Sequence, residues 1–410
     1  MSLLRSVSRL LVGSLFIFSG FVKAIDPMGS TFKFKDYFLA FGMDSLTGLA
    51  FTMAIILSTL EFSVGMLILF NVYKKSASWL ALLFMLFFTP LTLILALTNP
   101  VTDCGCFGDA LILTNWETFG KNIIILAFTL VVFYTRKLEK DKSSKLTQNL
   151  LLAFSLTIAL GCSYYSYRHL PFIDFRPYHI GANIQESMTI PEGAPADEYQ
   201  SIFKYEKNGV IKEFDESNYP WQDSSWTYVD VEQIKIKEGY KAPIHDFSIS
   251  NEESGDITEQ VLNDASYTFL LVSRQLNEMK LTNLKEIDEL AAWCRNHKYN
   301  FICLTASTDD EINTFKEKNN AFYDFYATDE IQLKTIIRSN PGLVLLQNGT
   351  ILNKWHWRDI PKTTEIKANL AAYSITQHQT LTNKLVILSI TTTLLLLIGC
   401  FLILKFRFKL

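Results

Sequence analysis

Two cysteines separated by one glycine stand in a short polar loop, where residues 103–109 read DCGCFGD. On an oxidising side of a membrane, Cys104 and Cys106 would tend to form a disulfide. The ring closed by that bond is tight, and strain makes a disulfide easier to reduce. The neighbouring Asp103 and Asp109 are expected to oppose formation of a thiolate. Two interpretations stay open: a redox pair, or two small buried residues in a structural turn.

The other cysteines are candidates for thiol partners or for packing. Cys162 lies near the outer end of a predicted span and is either a resolving thiol for the loop or a packed residue. Cys400 lies within an apolar helix, where packing is the commoner role. Cys294 and Cys303 fall on predicted core positions, and both free thiols and a structural bridge remain open.

Glu61 is the most informative polar residue within a predicted span. A carboxylate there is costly and is expected to face a partner or a cavity. Counted from the cytoplasmic ends of the helices, Arg9 lies at the depth of Glu61 and is the predicted partner, with Lys23 nearer the outer face. A structural ion pair and a proton or quinone site are both open. His169, His179 and His245 lack the spacing of metal ligands, and no metal site is predicted.

The apolar residues are concentrated in stretches long enough to cross a bilayer. About 20 mostly apolar residues are needed for one span. The predicted spans are 5–23, 47–70, 77–98, 116–135, 147–165 and 385–405. The chain is 49% apolar with a net charge of −3, so its charge does not indicate a nucleic-acid partner.

Basic residues predict the orientation of these six spans, because cytoplasmic loops are rich in lysine and arginine. The basic groups all fall on one side: Arg5 and Arg9, Lys74 and Lys75, the 136–145 loop, and the residues from Lys405 onward. We therefore expect a bacterial inner-membrane protein with both termini in the cytoplasm. The Cys104/Cys106 loop and residues 166–384 are expected in the periplasm.

The exported parts of the chain carry different patterns. The aromatic stretch 24–45 is predicted to be a loop that either lies along the membrane surface or packs on the bundle. Residues 203–214 alternate around Asn208-Gly209, which predicts a hairpin with a type I′ turn. Residues 226–229 predict a further strand, and 171–178 an ordered strap across the outer face of the bundle that limits access to the thiols.

Residues 241–380 alternate between strand and helix patterns. Short apolar runs at 268–272 and 301–304 predict buried strands, and three- and four-residue steps from Leu281 to Cys294 predict a helix. A charged helix follows at 309–319, then a hairpin around Asn348-Gly349 and a helix at 363–373. This order predicts a small α/β sandwich.

The β-α-β-α-hairpin-α order, the 242–247 segment APIHDF and the sequence NPG at 340–342 resemble the thioredoxin fold. The resemblance implies a cis peptide bond before Pro341, which X–Pro bonds tolerate. It also places a Cys-x-x-Cys motif near 273–276, where this chain has Ser-Arg-Gln-Leu. Such a domain cannot exchange dithiols by the usual mechanism, and Arg274 is either a surface residue or an anchor for a partner.

The first third of the chain resembles DoxX/MauE-type membrane proteins. The resemblance rests on Arg9, Ser19-Gly20, Lys23, Glu61 and the Cys-Gly-Cys-Phe-Gly loop. It implies an association with periplasmic disulfide handling beside a thioredoxin-like partner.

The predicted fold class is an α-helical membrane bundle of six transmembrane helices plus an extracytoplasmic α/β thioredoxin-like domain. Its parts are a four-helix bundle (1–135), a cytoplasmic loop with the fifth helix (136–165), a β-rich strap segment (166–240), the thioredoxin-like domain (241–380) and the sixth helix (385–405). The favoured function is a non-catalytic binding domain in a subunit of a membrane protein complex, whose partners are the lipid bilayer and other envelope proteins. The alternative is a membrane thiol–disulfide component that uses the Cys104/Cys106 loop, with a quinone as the conceivable cofactor. Whether the chain is an enzyme stays open.

Overall fold

The structure is a computed structural model that describes residues 2–138, 143–237, 239–366, 370–377 and 379–380. Its helices are α1 (Ser2–Ile25), α2 (Pro27–Ala40), α3 (Ala50–Leu69), α4 (Lys74–Thr98), α5 (Asn115–Thr135), α6 (Lys145–Arg168), α7 (Ile184–Met188), α8 (Thr258–Leu262), α9 (Leu284–Asn296), α10 (Asp309–Asn319) and α11 (Glu330–Ile336). Residues 370–377 are also helical. The predicted sixth span, 385–405, lies outside the described residues.

Within the described residues, five helices are long and apolar enough to cross a membrane. They are Leu3–Ile25, Asp44–Leu69, Lys74–Thr98, Asn115–Thr135 and Lys145–Arg168. These helices coincide with the first five predicted spans, so the chain carries an N-terminal helical region of membrane type.

The closest helix pair in this bundle is α1 and α3. A Cβ atom added to Gly20 would lie 2.3 Å from the backbone nitrogen of Phe62, and one added to Gly65 would lie 2.6 Å from that of Ile17. Small residues let membrane helices approach this closely. Gly13 faces Leu69 and Gly20 faces Phe62, so the two helices run antiparallel.

The aromatic stretch after α1 is a helix, which corrects the prediction of a loop at 24–45. Asp26 accepts a hydrogen bond from the backbone N–H of Gly29, and Pro27 occupies the first turn. Both features favour a helix start. The helix packs against α3 at the end of the bundle where α1 ends, with Phe38 buried.

In the part of the chain that the structure describes, ten strands form two sheets. They are β1 (Glu198–Lys207), β2 (Val210–Phe214), β3 (Thr227–Lys237), β4 (Ser250–Asn251), β5 (Gly255–Asp256), β6 (Thr268–Val272), β7 (Asn300–Thr305), β8 (Asp324–Ala327), β9 (Gly342–Gln347) and β10 (Thr350–His356). The first sheet has the order β2-β1-β3, and the second has the order β10-β9-β6-β7-β8-β4-β5.

The larger sheet has helices on both faces. Its central strands β6, β7 and β8 are parallel, and β9 pairs antiparallel with β6 and β10. Phe269 and Leu271 point into a core shared with α9 and α10. Leu270 and Val272 point the other way, into a core shared with α8 and α11. This alternation is the two-residue period of a strand buried on both faces.

Most local predictions in the β-rich region are confirmed. The 203–214 hairpin is β1 and β2, and Asn208 and Gly209 both have positive φ angles. The predicted strands at 268–272 and 301–304 and the helix at 309–319 are β6, β7 and α10. The Asn340–Pro341 bond is cis, as the resemblance implied. The short strands β4, β5 and β8 had not been predicted.

The predicted strap at 171–178 joins the bundle to the larger sheet. Tyr178 is fully buried in the second core of that sheet, and its hydroxyl donates to Gln332 at 2.8 Å. Asp174 pairs with Arg176 at 2.7 Å and with Lys354 at 2.8 Å. The strap is therefore anchored in the C-terminal region rather than lying across the bundle alone.

Candidate functional site: a thiol loop at the end of the bundle

The loop between α4 and α5 is closed at its base by side-chain hydrogen bonds. The amide of Asn115 donates to Asn99 Oδ1 at 2.8 Å and to the carbonyl of Val101 at 2.9 Å. Thr114 and Glu117 form a capping box that begins α5. Gly105 and Gly108 have positive φ angles, which glycine adopts without strain. The loop is therefore tied at both of its ends.

The two thiols of this loop lie side by side. Cys104 Sγ and Cys106 Sγ are 3.0 Å apart, and both are free. Cys104 is buried at 8% exposure, whereas Cys106 is partly exposed. The Tyr37 hydroxyl of α2 donates to the carbonyl of Cys104 at 2.6 Å. The strap at 171–178 was predicted to limit access to the thiols, and α2 supplies part of the cover.

The pair has two different acidities. The hydrogen bond from Cys104 lowers the pKa of Cys106 to about 6, against the effect of burial, and the ammonium groups of Lys121 and Lys23 contribute to the same shift. The same hydrogen bond, together with burial, raises the pKa of Cys104 well above its usual value. Near neutral pH the pair is therefore a Cys106 thiolate beside a Cys104 thiol. This is the division of roles between an attacking and a resolving thiol.

The two acidic neighbours of the thiols are each neutralised by a cation. Lys33 donates to Asp103 at 2.6 Å, and Arg338 donates to Asp109 at 2.7 Å. Asp103 also accepts the Gly105 N–H at 2.9 Å. The pKa of Cys106 is lowered by other groups, and the charges of the two carboxylates expected to oppose a thiolate are paired within the site.

An ion pair lies directly beneath the loop, and it corrects the partner predicted for Glu61. Lys23 donates to Glu61 at 2.7 Å, with about 10% of either side chain exposed. Arg9 had been predicted instead by counting from the ends of the helices. Because Gly13 faces Leu69 and Gly20 faces Phe62, Glu61 is level with residues 19–23, and Arg9 lies about three turns away along α1.

Ser19 connects this ion pair to the thiol loop. Its hydroxyl lies 2.9 Å from Glu61 Oε2 and 2.8 Å from the carbonyl of Cys106, and it accepts from Lys23 at 3.0 Å. A hydroxyl has one proton to give. Ser19 therefore donates either to the carboxylate or to the loop backbone. Ser19 links the buried Lys23–Glu61 pair to the loop backbone at Cys106.

The C-terminal region docks on the same loop. The guanidinium of Arg338 donates to Asp26 of the α1–α2 junction at 2.8 Å as well as to Asp109, and only 7% of its side chain is exposed. Arg338, Arg274 and Lys334 all place a cation within 5.5 Å of the Phe32 ring of α2. Arg274 thus serves as an anchor, and the surface it contacts is this chain's own bundle.

The remaining predicted residues lie apart from this site. Cys162 is a half-buried free thiol, and no hydrogen bond joins it to the loop thiols in the described part of the chain. Cys294 and Cys303 are fully buried free thiols in the first core of the larger sheet. In the described residues, no group of histidine, cysteine or acidic side chains is arranged to hold a metal ion.

Four residues of the site were not singled out by sequence reasoning for these roles: Tyr37, Lys33, Ser19 and Arg338. Ser19 carried a readable signal, since it stands four residues before Lys23 and therefore on the same helix face. The other three reach the loop from 67 to 229 residues away along the chain.

Fold and site together define a membrane-type helical protein with a thiol loop at one end of its bundle and a β-rich C-terminal region. Residues 1–135, about a third of the 410 residues, match the family described as Methylamine utilisation protein MauE. This region therefore fits a MauE-type membrane protein. Residues 199–238, which include β1 to β3, match a Domain of unknown function (DUF8463). No curated protein and no solved structure matches the chain.

Proposed function

We propose that this protein is a membrane thiol–disulfide component whose Cys104/Cys106 loop exchanges electrons with thiols outside the cytoplasm. The observation that carries the proposal is the contact of 3.0 Å between two thiols of opposite pKa shift. A purely structural turn would not need a stabilised thiolate. The match of residues 1–135 to the MauE family supports a role as a membrane accessory component.

The exchange begins at Cys106. Its thiolate attacks one sulfur of a partner disulfide, which forms a mixed disulfide and releases one partner thiolate. Cys104 then loses its proton and attacks Cys106 Sγ, which releases the second partner thiolate. The loop pair is oxidised to one disulfide, and the two sulfurs of the partner disulfide are reduced. The proton of Cys104 passes to one of the two released thiolates, and the other thiolate takes a proton from water. The reverse sequence would oxidise a partner dithiol.

A redox titration tests this proposal directly. Membranes carrying the full chain are equilibrated in dithiothreitol buffers of different potential, and free thiols are then labelled with a mass tag. We expect Cys104 and Cys106 to lose their labels together, as a two-electron couple. The matched control is Cys162→Ser, which should leave the titration unchanged. A loop that keeps both labels at every potential would remove the proposal.

The orientation is part of the same proposal. The loop and residues 166–384 belong in the periplasm, and the 136–146 loop and both termini belong in the cytoplasm. The basic residues that flank the spans support this arrangement. Labelling of single introduced cysteines by a membrane-impermeant maleimide tests it, and labelling of the 136–146 loop from outside would overturn it.

A second function is favoured by the contacts of Arg274. We infer that the C-terminal domain is thioredoxin-like, since its parallel β6-β7 core, antiparallel β9-β10 hairpin and flanking helices follow that order. Residues 273–276, at the place of the family's Cys-x-x-Cys, lack cysteine, and Arg274 lies 4.9 Å from the Phe32 ring. The domain would then be a non-catalytic binding module that covers the bundle and docks a membrane complex. Co-purification of a stoichiometric partner in mild detergent supports this function, and a chain that purifies alone and oxidises a model dithiol contradicts it.

A further inference from the structure

Two exposed tyrosines and an arginine stand at the end of α6, where the chain leaves the bundle for the C-terminal region. Helix α6 is long and apolar enough to cross a membrane, and Arg168 is its last residue. Tyr164 is 65% exposed, and Tyr167 is 42% exposed. Tyrosine and tryptophan rings favour the level of the lipid headgroups at the ends of a span, and basic side chains near a span end reach the same level. Arg168 therefore lies where lipid phosphates are found.

The C-terminal region brings a second arginine to this level. Residues Trp357–Asp359 form a short 3₁₀ helix directly after β10. The Arg358 guanidinium lies 5.7 Å from the centre of the Tyr167 ring, and one of its nitrogens is 3.5 Å from the carbonyl oxygen of Tyr167. It also lies 4.0 Å from the centre of the Trp357 ring. Arg358 thus contacts α6 at the residue that immediately precedes Arg168.

Positive charge exceeds negative charge at this place. In the part of the chain that the structure describes, neither Arg168 nor Arg358 forms an ion pair, and Asp359 lies 2.9 Å from His169 Nδ1. Burial lowers the pKa of His356 to about 3, and the positive charges of Arg358, His169 and Arg168 act in the same direction. Two guanidinium groups without a carboxylate partner therefore stand at the headgroup level, where they can bind an anion.

We propose that Arg168 and Arg358 bind the headgroup of an anionic phospholipid. A guanidinium group matches the geometry of phosphate oxygens through two parallel N–H bonds. Basic groups next to a membrane span also attract anionic lipids. Because one arginine belongs to α6 and the other to the C-terminal region, a bound headgroup joins the two regions, in addition to the contacts of Arg338. This site is independent of the thiol exchange proposed above.

Lipid binding to the purified full chain tests the proposal. The probes are phosphatidylglycerol and phosphatidylcholine with the same acyl chains, added in a neutral detergent, and native mass spectrometry counts the lipids that stay bound. We expect phosphatidylglycerol to bind at least about fivefold more tightly than phosphatidylcholine. Equal binding of the two lipids would overturn the proposal. Displacement of phosphatidylglycerol by an equal concentration of inorganic phosphate would also overturn it, because the site would then take the free anion rather than a lipid.

Two variants locate the site. Arg168→Gln and Arg358→Gln should each lower the preference for phosphatidylglycerol severalfold, and lysine at either position, which keeps the charge, should lower it less. Arg295→Gln is the matched control, since Arg295 lies over the ring of Phe322 in the C-terminal region and should keep the preference. The bundle is also basic at its other end, so Arg136→Gln is compared with these variants. A preference that is lost in Arg136→Gln and kept in both Arg168→Gln and Arg358→Gln would contradict the proposal.

A melting experiment separates lost binding from lost folding. Phosphatidylglycerol should raise the melting temperature of the unaltered protein, and phosphatidylcholine should raise it less. Without added lipid, the double variant Arg168→Gln/Arg358→Gln should melt close to the unaltered protein, and phosphatidylglycerol should then raise its melting temperature much less. A rise as large in the double variant as in the unaltered protein would show that the stabilising lipid binds elsewhere.

Discussion

The pKa of Cys106 is the property that best distinguishes a reactive thiol from a structural one. Because its pKa is lowered to about 6, its thiolate is present above that pH and is lost as the pH falls through 6. We expect the alkylation rate of Cys106 by iodoacetamide to rise between pH 5 and 7 and then to level off. Cys104, whose pKa is raised, should stay unreactive over that range.

The hydrogen bond from Cys104 is the largest cause of this shift, and two variants isolate it. Cys104→Ala removes the donor and should move the midpoint of Cys106 alkylation to higher pH. Cys104→Ser keeps a hydroxyl donor and should move it less. Mass spectrometry of the labelled peptide measures both midpoints, and a midpoint near 9 in the unaltered protein would contradict the assignment of Cys106 as the nucleophile.

Glu61 and Lys23 form a buried ion pair, and we expect replacement of either residue alone to destabilise the protein. Glu61→Gln leaves the ammonium group of Lys23 buried without its counter-charge, at a cost of about 3–5 kcal/mol. We expect a lower melting temperature in detergent for Glu61→Gln and for Lys23→Met. The double variant should recover much of the loss, because no charge remains buried. Single variants as stable as the unaltered protein would show that water reaches the pair.

Sequence separation explains what could be predicted at this scale. The cysteines, Glu61 and Lys23 are visible as unusual residues in their own segments. The contacts that set their chemistry are not local: Tyr37 reaches Cys104 from 67 residues away, and Arg338 reaches Asp109 from 229 residues away. The partner of Glu61 depends on which residues of α1 and α3 lie at the same level. Counting from the ends of the helices gave the wrong alignment.

At the scale of elements, the site depends on how closely α1 and α3 approach. Gly20→Ala would place a Cβ atom 2.3 Å from the backbone nitrogen of Phe62, next to Glu61. Since backbone atoms must then move apart, we expect a clearly lower melting temperature and a higher midpoint for Cys106 alkylation, as Lys23 shifts away from the loop. Gly161→Ala is the control, because open space surrounds that position in α6. An alanine in a helix is favoured over glycine by about 1 kcal/mol, so the control should be neutral or slightly stabilising.

Helices and strands that depend on local sequence patterns could be predicted, and those that depend on distant contacts could not. The hairpin at Asn208-Gly209 and the strand at 268–272 follow from turn residues and apolar runs within a few positions. Helix α2 was predicted as a loop because its aromatic residues give little helical periodicity, and its cover of the thiol loop arises only in the folded bundle. The strands β4 and β5 have two residues each, too few to leave a pattern.

At the scale of the whole molecule, the bundle and the C-terminal region meet through Arg338. Its guanidinium joins Asp26 and Asp109 and lies 5.5 Å from the centre of the Phe32 ring. One side chain thus connects the start of α2, the thiol loop and the segment that follows α11. The two regions have separate cores, and Arg338 joins them together with the contacts of Arg274 and Lys334 on Phe32.

Removal of Arg338 should therefore open the site without unfolding either region. In Arg338→Met, Asp26 and Asp109 lose a shared cation, and repulsion between the two carboxylates should separate α2 from the loop. We expect the rate of labelling of Cys104 and Cys106 by a bulky maleimide to rise severalfold at fixed pH, while the melting temperature of the bundle changes little. Arg295→Met removes an arginine of α9, which contacts Phe322 rather than the bundle, and should leave the labelling rate unchanged. Labelling of the loop that is as slow in Arg338→Met as in the unaltered protein would contradict this prediction. The C-terminal region would then not control the access of reagents to the two thiols, and α2 alone would cover them.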